Sequence, residues 1–377
     1  MRRADRRRTT GRRDHRVGAV VALLPTFSQG CRMTDAVPDQ ATASGGTRGR
    51  GPHAWLLKLF LRVGVLPFLL VAAVVVFSVL SDQFLTIQNL TNLIRQSVYL
   101  ILVAMGQMLA LATGGFDLSV GTVLALTSVV SASVMSTLGA DGGSTTWAVL
   151  LGCGAGVAAG TAVGLVNGLG IALGSVSPFI MTLGVQSIGL GVALALTGGV
   201  PVSGIPGAFG DLFGFGTLLG MPVPVIVMAV IVVAMYVLMT RTATGTHLLA
   251  VGGNAKAAAL SGISTRRTLL LAYVLCSVLA AVSGLLLTAR VGSGEANLGG
   301  TIALESIAAC VIAGVSLRGG VARVENVVLG AIFIGLVQNG MDLINVGSYM
   351  QMVALGLLLI LAVMADHLRH QLISHGR

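Results

Sequence analysis

Thr268–Thr288, TLLLAYVLCSVLAAVSGLLLT, runs for 21 residues without a charged side chain. A helix needs about 20 apolar residues to cross the hydrocarbon core of a bilayer. Arg266 and Arg267 stand immediately before this run and Arg290 just after it, so the charges fall where a membrane span would end. Outward from it the pattern repeats. Apolar stretches occupy 60–81, 91–113, 117–137, 146–172, 178–198, 223–240, 302–318, 324–345 and 347–366. The expected fold is therefore all-α: a polytopic membrane helix bundle of about ten transmembrane helices. Gly114-Gly115-Phe116 alone separates the second and third spans, and a glycine pair the eighth and ninth, so broken or re-entrant helices are alternatives there.

Composition agrees. Of 377 residues, 55% are hydrophobic and 10% charged, and mean hydropathy is +0.92. Soluble domains carry about 25% charged residues, so too few charges are present to coat a water-facing surface, and lipid must solvate much of the exterior. The 52 glycines suit close helix packing in lipid.

The net charge of +10 is concentrated in the first 50 residues, which hold eleven arginines and four aspartates. No aromatic residues interleave with that arginine run, which argues against nucleic-acid binding. Residues 1–54 read as a disordered basic cytoplasmic tail, residues 55–366 as the membrane domain, and residues 367–377 as a cytoplasmic tail. A basic arm of this kind is expected to touch anionic lipid headgroups. Within the first segment Val17–Pro25 resembles a short signal core but is too short to span; a true start at Met33 is an alternative reading. Cys31, Cys153, Cys276 and Cys310 lack metal spacing, and His367, His370 and His375 read as a solvated tail, so no metal site is expected.

With the N-terminus inside, the loop after span six carries Arg241, Lys256, Arg266 and Arg267, and the loop after span eight is flanked by Arg318 and Arg323. The predicted outer loops 138–145 and 199–222 contain no Lys or Arg. This is the asymmetry of an inner-membrane protein with both termini cytoplasmic. Gly164–Gly168, GLVNG, recurs as Gly335–Gly340, GLVQNG, and Leu183-Gly184 recurs as Leu355-Gly356. Asn167 and Asn339 mark an offset of five spans. That offset implies a five-helix repeat inverted in the membrane, as in many transporters; chance recurrence in a chain rich in Gly, Leu and Val is the competing reading.

Neither lysine, Lys58 or Lys256, lies in a GK[ST] sequence, so the chain is no P-loop ATPase. Its longest predicted cytoplasmic loop contains Asn254, a good helix N-cap, then an alanine-rich run and Gly262, a natural stop. A short helix on the cytoplasmic face follows from these residues, either a handle for a soluble partner or an interface-lying linker.

Four ordered stretches resemble the permeases of bacterial ABC importers for ribose, xylose, galactosides and related sugars. They are Gly114–Gly121 (GGFDLSVG), Ser177–Gly184 (SPFIMTLG, followed by Leu196–Gly199), Thr244–Ile263, and Glu305–Gly320. The resemblance covers roughly residues 60–366. Ala322 and Asn326 stand where the family usually has glycine, Glu305 stands where it usually has Asp, and the first 50 residues have no family counterpart.

The resemblance implies a transport subunit, not an enzyme, that binds no cofactor itself. ATP and Mg would sit on separate ABC ATPase subunits, a periplasmic or extracellular solute-binding protein would deliver solute, and two permeases would pair. Gly245, Gly252, Gly253, Asn254, Ala257, Ala258, Gly262 and Ile263 would form the coupling segment. Candidate path residues are Phe116, Asp117, Asn167, Phe179, Thr182, Gln186, Thr197, Glu305 and Asn339. Each has a plainer reading: Asp117 and Glu305 as helix caps, the asparagines as helix ties, the phenylalanines as packing. Two rival functions stand beside the first. One is a proton-coupled secondary transporter titrating Asp117 or Glu305. The other is an ABC permease for a branched-chain amino acid or nucleoside.

Overall fold

The computed structural model describes residues 66–140 and 142–375, with side chains through residue 364. The predicted tail 1–54, Val17–Pro25 and the start of the first span lie outside the described residues. The principal helices are α1 (Leu66–Leu80), α2 (Ile87–Ala112), α3 (Val120–Ala140), α4 (Thr145–Ala172), α5 (Pro178–Thr197), α6 (Val223–Arg241), α7 (Ala243–Gly253), α8 (Ala255–Leu260), α9 (Thr265–Val291), α10 (Ile302–Ile312), α11 (Val324–Leu343) and α12 (Ser348–His375). Between α5 and α6 lies a two-residue hairpin, Thr217–Leu218 with Met221–Pro222.

Each predicted apolar stretch contains a helix. Among the described residues, seven helices are long and apolar enough to cross a bilayer, and Leu66–Leu80, Ile302–Ile312 and Ser348–Met364 are shorter apolar segments. The span expected over 302–318 is a half-length helix. At about 1.5 Å per residue α10 reaches roughly 16 Å, about half the hydrocarbon thickness. It stops because Gly314 (φ 82°) leaves the helical region, and Val315 N–H returns to the Cys310 carbonyl at 2.9 Å. Non-helical backbone of this kind survives within a membrane protein where neighbours satisfy it.

α2 is the central post. Val98 to Ala112 is buried throughout, as expected of a helix apolar on all sides. α9 packs along it, and α4 packs on α3 and α9 through a stripe of small residues. Gly152, Gly156, Gly160, Gly164 and Gly168 recur every fourth position on one buried face of α4. A methyl on Gly164 would lie 2.7 Å from Ser277 Cβ, so only glycine lets the two backbones approach this closely. Large apolar side chains face outward instead, Val79 on α1 and Ile188 on α5 among them.

The packing pairs fall into two matching sets. α4 packs on α9 as α11 packs on α2; α3 on α9 as α10 on α2; α3 on α4 as α10 on α11; α3 on α5 as α10 on α12. The exchange α2–α5 for α9–α12 follows the offset between Asn167 and Asn339.

Contacts also sort the connecting segments by end of the bundle. Val202 and Gly294, both in predicted outer loops, exchange backbone hydrogen bonds of 2.9 Å. At the far end of α2, Gly320 N–H donates to the Ala112 carbonyl at 3.0 Å, joining two predicted inner segments.

Candidate functional site

α2 ends in a glycine reversal. Thr113 Oγ1 donates to the Ala110 carbonyl (2.8 Å), and Gly114 takes φ 85°. The chain then runs inward through Phe116 and Asp117 before α3 begins. Asp117 is fully buried, and its Oδ1 accepts from Ser119 N–H (2.8 Å) and Ser119 Oγ (2.6 Å). The carboxylate thereby satisfies a free N–H at the start of α3, the role of a capping aspartate. Ser119 Oγ in turn accepts from Asn167 Nδ2 of α4 at 2.7 Å. With its amide turned to satisfy both groups, Gln107 of α2 donates to the Asp117 carbonyl (3.0 Å) and accepts from the Asp117 N–H (3.1 Å).

Two helices, α2 and α4, thus grip one loop. The Asp117 carboxylate also lies beside the Cys276 thiol of α9. Its Oδ2 is buried without an oxygen or nitrogen partner, as are Asn167 Oδ1, Tyr273 Oη and Ser277 Oγ. Buried polar atoms are rarely left in this state, and four of them gather in the interior where the Gly114–Ser119 loop meets α4 and α9.

The remaining path candidates divide into groups. Phe116 and Phe179 meet edge to face with centroids 6.0 Å apart. Thr182 is buried and donates to the Pro178 carbonyl (2.9 Å), and Thr197 returns to the Ala193 carbonyl (3.1 Å). The Gln186 backbone carbonyl accepts from Thr122 Oγ1 at 2.8 Å, so Gln186 marks the contact of α5 with α3. Glu305 accepts from Thr301 Oγ1 (2.6 Å) in the first turn of α10, a side-chain bond that leaves the first backbone N–H groups of the helix without a side-chain cap. Asn339 is elsewhere. Its amide and that of Asn89 bond reciprocally, both at 3.0 Å, tying α11 to the start of α2. Asn89 and Gln107 are separated by roughly 27 Å along α2 at about 1.5 Å per residue, so Asn339 and Asp117 belong to opposite ends.

The predicted short helix is present as α8. Asn254 holds an extended conformation (φ −159°, ψ 98°), and its Oδ1 accepts from Ala257 N–H at 3.0 Å. Gly262 closes it at φ 84°, with Ile263 N–H returning to the Ala258 carbonyl at 3.0 Å. Residues 243–253, read from sequence as loop, form a further helix, α7, because Thr242 caps it by accepting from Gly245 N–H at 3.5 Å. Gly245, Gly252 and Gly253 lie within α7, and Gly245 is buried. Ala258 holds α8 to the bundle, while Lys256, Ala257 and Leu260 stand in the open, Leu260 at 91% exposure.

Ser119, Gln107, Tyr273, Ser277 and Asn89 were not singled out from sequence. The signals were available: a serine two residues after an aspartate, and single polar residues inside long apolar runs. At the positions where the family usually has glycine, Ala322 packs on the core, and Asn326 Nδ2 donates to the Ala313 carbonyl (3.3 Å) just past the end of α10.

Known proteins resemble the chain over most of its length. The ribose import permease protein RbsC of Escherichia coli (strain K12) is 36% identical over 317 residues, 83% of this chain and 95% of the relative. RbsC of Bacillus subtilis (strain 168) is 38% identical over 302 residues, 80% of this chain and 91% of the relative. The D-allose transport system permease protein AlsC of Escherichia coli (strain K12) is 35% identical over 302 residues, 80% of this chain and 90% of the relative. No solved structure matches the chain. Residues 89–363 match the family described as branched-chain amino acid transport system / permease component. With these relatives and its long apolar helices, the chain is a multi-pass membrane protein and belongs to that permease family.

Proposed function

We propose that this chain is the permease subunit of an ATP-driven importer and forms the path for a monosaccharide. ABC ATPase subunits would hydrolyse ATP with Mg on the cytoplasmic side, a solute-binding protein would deliver sugar from outside, and two permeases would pair in the membrane. The sugar assignment is supported by relatives whose names specify ribose and D-allose transport.

The observation that carries the reading is the α7–α8 elbow. Two short, separately capped helices stand between the long apolar helices α6 and α9, and the second is largely open to solvent. A chain without a P-loop has no motor of its own, and an exposed rigid elbow fits a surface for one to grip. Arg241, Lys256, Arg266 and Arg267 around the elbow favour the cytoplasm for it, and with it both termini.

Asp117 is closed off from solvent and bonded to Ser119, which favours an external motor over proton coupling. The family description favours a second reading in which the solute is a branched-chain amino acid.

The test is reconstitution of the permease with its ATPase and binding protein in vesicles. Uptake of labelled monosaccharide should require all three proteins and ATP. Solute movement by the permease alone would sink the proposal.

A further inference from the structure

Gly252 of α7 is packed against backbone, not side chains. A methyl there would strike the Ala112 carbonyl oxygen and come within 2.7 Å of Gly320 N. Gly320 N–H itself donates to that Ala112 carbonyl at 3.0 Å. A methyl on the neighbouring Gly319 would lie 2.8 Å from both Gly114 N and the Gly252 carbonyl oxygen. Gly114, Gly319 and Gly320 all hold positive φ, at 85°, 85° and 77°.

Three segments therefore meet with no side chain between them: the end of α2 with Gly114, the middle of the elbow at Gly252, and the loop after α10 at Gly319-Gly320. A side-chain contact can absorb a small displacement by changing rotamer, whereas backbone against backbone cannot. Gly253, the next residue of α7, has nothing within 4 Å of its Cβ position, so the contact is confined to one face of the helix.

We infer that Gly252, with Gly319 and Gly320, is a positioning junction that carries displacement of the cytoplasmic elbow into the Gly114–Ser119 loop. That loop holds Asp117, whose carboxylate is bonded through Ser119 to Asn167 of α4 and whose backbone is bonded to Gln107 of α2. A push on α8 thus passes through α7 to the loop, and from there to two of the long helices. Coupling of this kind requires a contiguous, stiff route between the sites. The inference rests on the importer reading above and adds the residues through which the motor's stroke enters the bundle.

The experiment compares Gly252→Ala with Gly154→Ala in the full complex of permease, ATPase and binding protein, reconstituted in vesicles. Both variants are expected to retain ATPase in the purified complex. Gly252→Ala is expected to transport at least tenfold less labelled sugar per ATP hydrolysed, and Gly154→Ala, exposed on α4 with nothing within 4 Å of its Cβ position, to keep the wild-type ratio. An unchanged ratio in Gly252→Ala overturns the inference and leaves the importer reading standing. Wild type that binds no ATPase overturns both. If Gly252→Ala does not assemble, amide hydrogen exchange on the wild-type complex decides. The Gly320 amide should stay protected with and without ATP and vanadate; rapid exchange in either state means that the junction opens and cannot transmit.

Discussion

Asn167 donates its side-chain amide to the Ser119 hydroxyl across 2.7 Å, and this single bond joins α4 to the loop that carries Asp117. Both residues are fully buried. Removing the amide leaves Ser119 with one partner fewer and opens a small void. Asn167→Ala should cost about 1–3 kcal/mol, the usual range for breaking a buried polar contact. Thermal unfolding of the detergent-purified protein should register a lower midpoint.

Asp117→Asn is the variant that separates ATP-driven from proton-coupled transport. The amide oxygen can still accept from Ser119, so the loop conformation should survive. ATP-dependent uptake should persist within about tenfold of wild type. Abolished uptake with intact folding and intact ATPase binding would favour a titrating carboxylate instead.

Asn89 and Asn339 share two reciprocal bonds, so their substitutions should not add. Asn89→Ala and Asn339→Ala should each destabilise, and the double variant should be little worse than either. A coupling energy of about 0.5–2 kcal/mol is expected from a double-mutant cycle. Full additivity would mean that the pair does not form.

The glycine stripe of α4 supplies a contrast within one helix. Gly164→Leu drives a large side chain into Ser277 and should prevent assembly of a monodisperse protein. Gly154 has nothing within 4 Å of its Cβ position, and Gly154→Ala should be neutral or slightly stabilising. Size-exclusion profiles of the two variants would distinguish the outcomes.

Asn254→Ala removes the cap of α8 without touching a long helix. The expected loss is about 1 kcal/mol, confined to the elbow. Global unfolding should be nearly unchanged, while the affinity for the ATPase subunit should fall several-fold in a binding titration.

How far the sequence reads ahead differs from one region to another. Asn254 and Gly262 were legible because a cap and a left-handed stop act over three or four residues, and their hydrogen bonds are local. α7 was missed because its glycines and threonines have poor helix propensity; Thr242 and the backbone of neighbouring segments hold it in place. The eighth apolar stretch had the composition of a span but not its geometry, since Gly314 lets the chain turn back at half length.

From sequence alone came the apolar runs and the scarcity of charge. These depend on solvation of single segments, and segment composition settles that. Tertiary structure alone decided that Asn339 and Asp117 occupy opposite ends of α2, and that Asn167 reaches Ser119. It also decided that Gly252 meets Gly320. Such pairings depend on how closely helices far apart in sequence can approach, which depends jointly on the residues of both partners and cannot be read from either one.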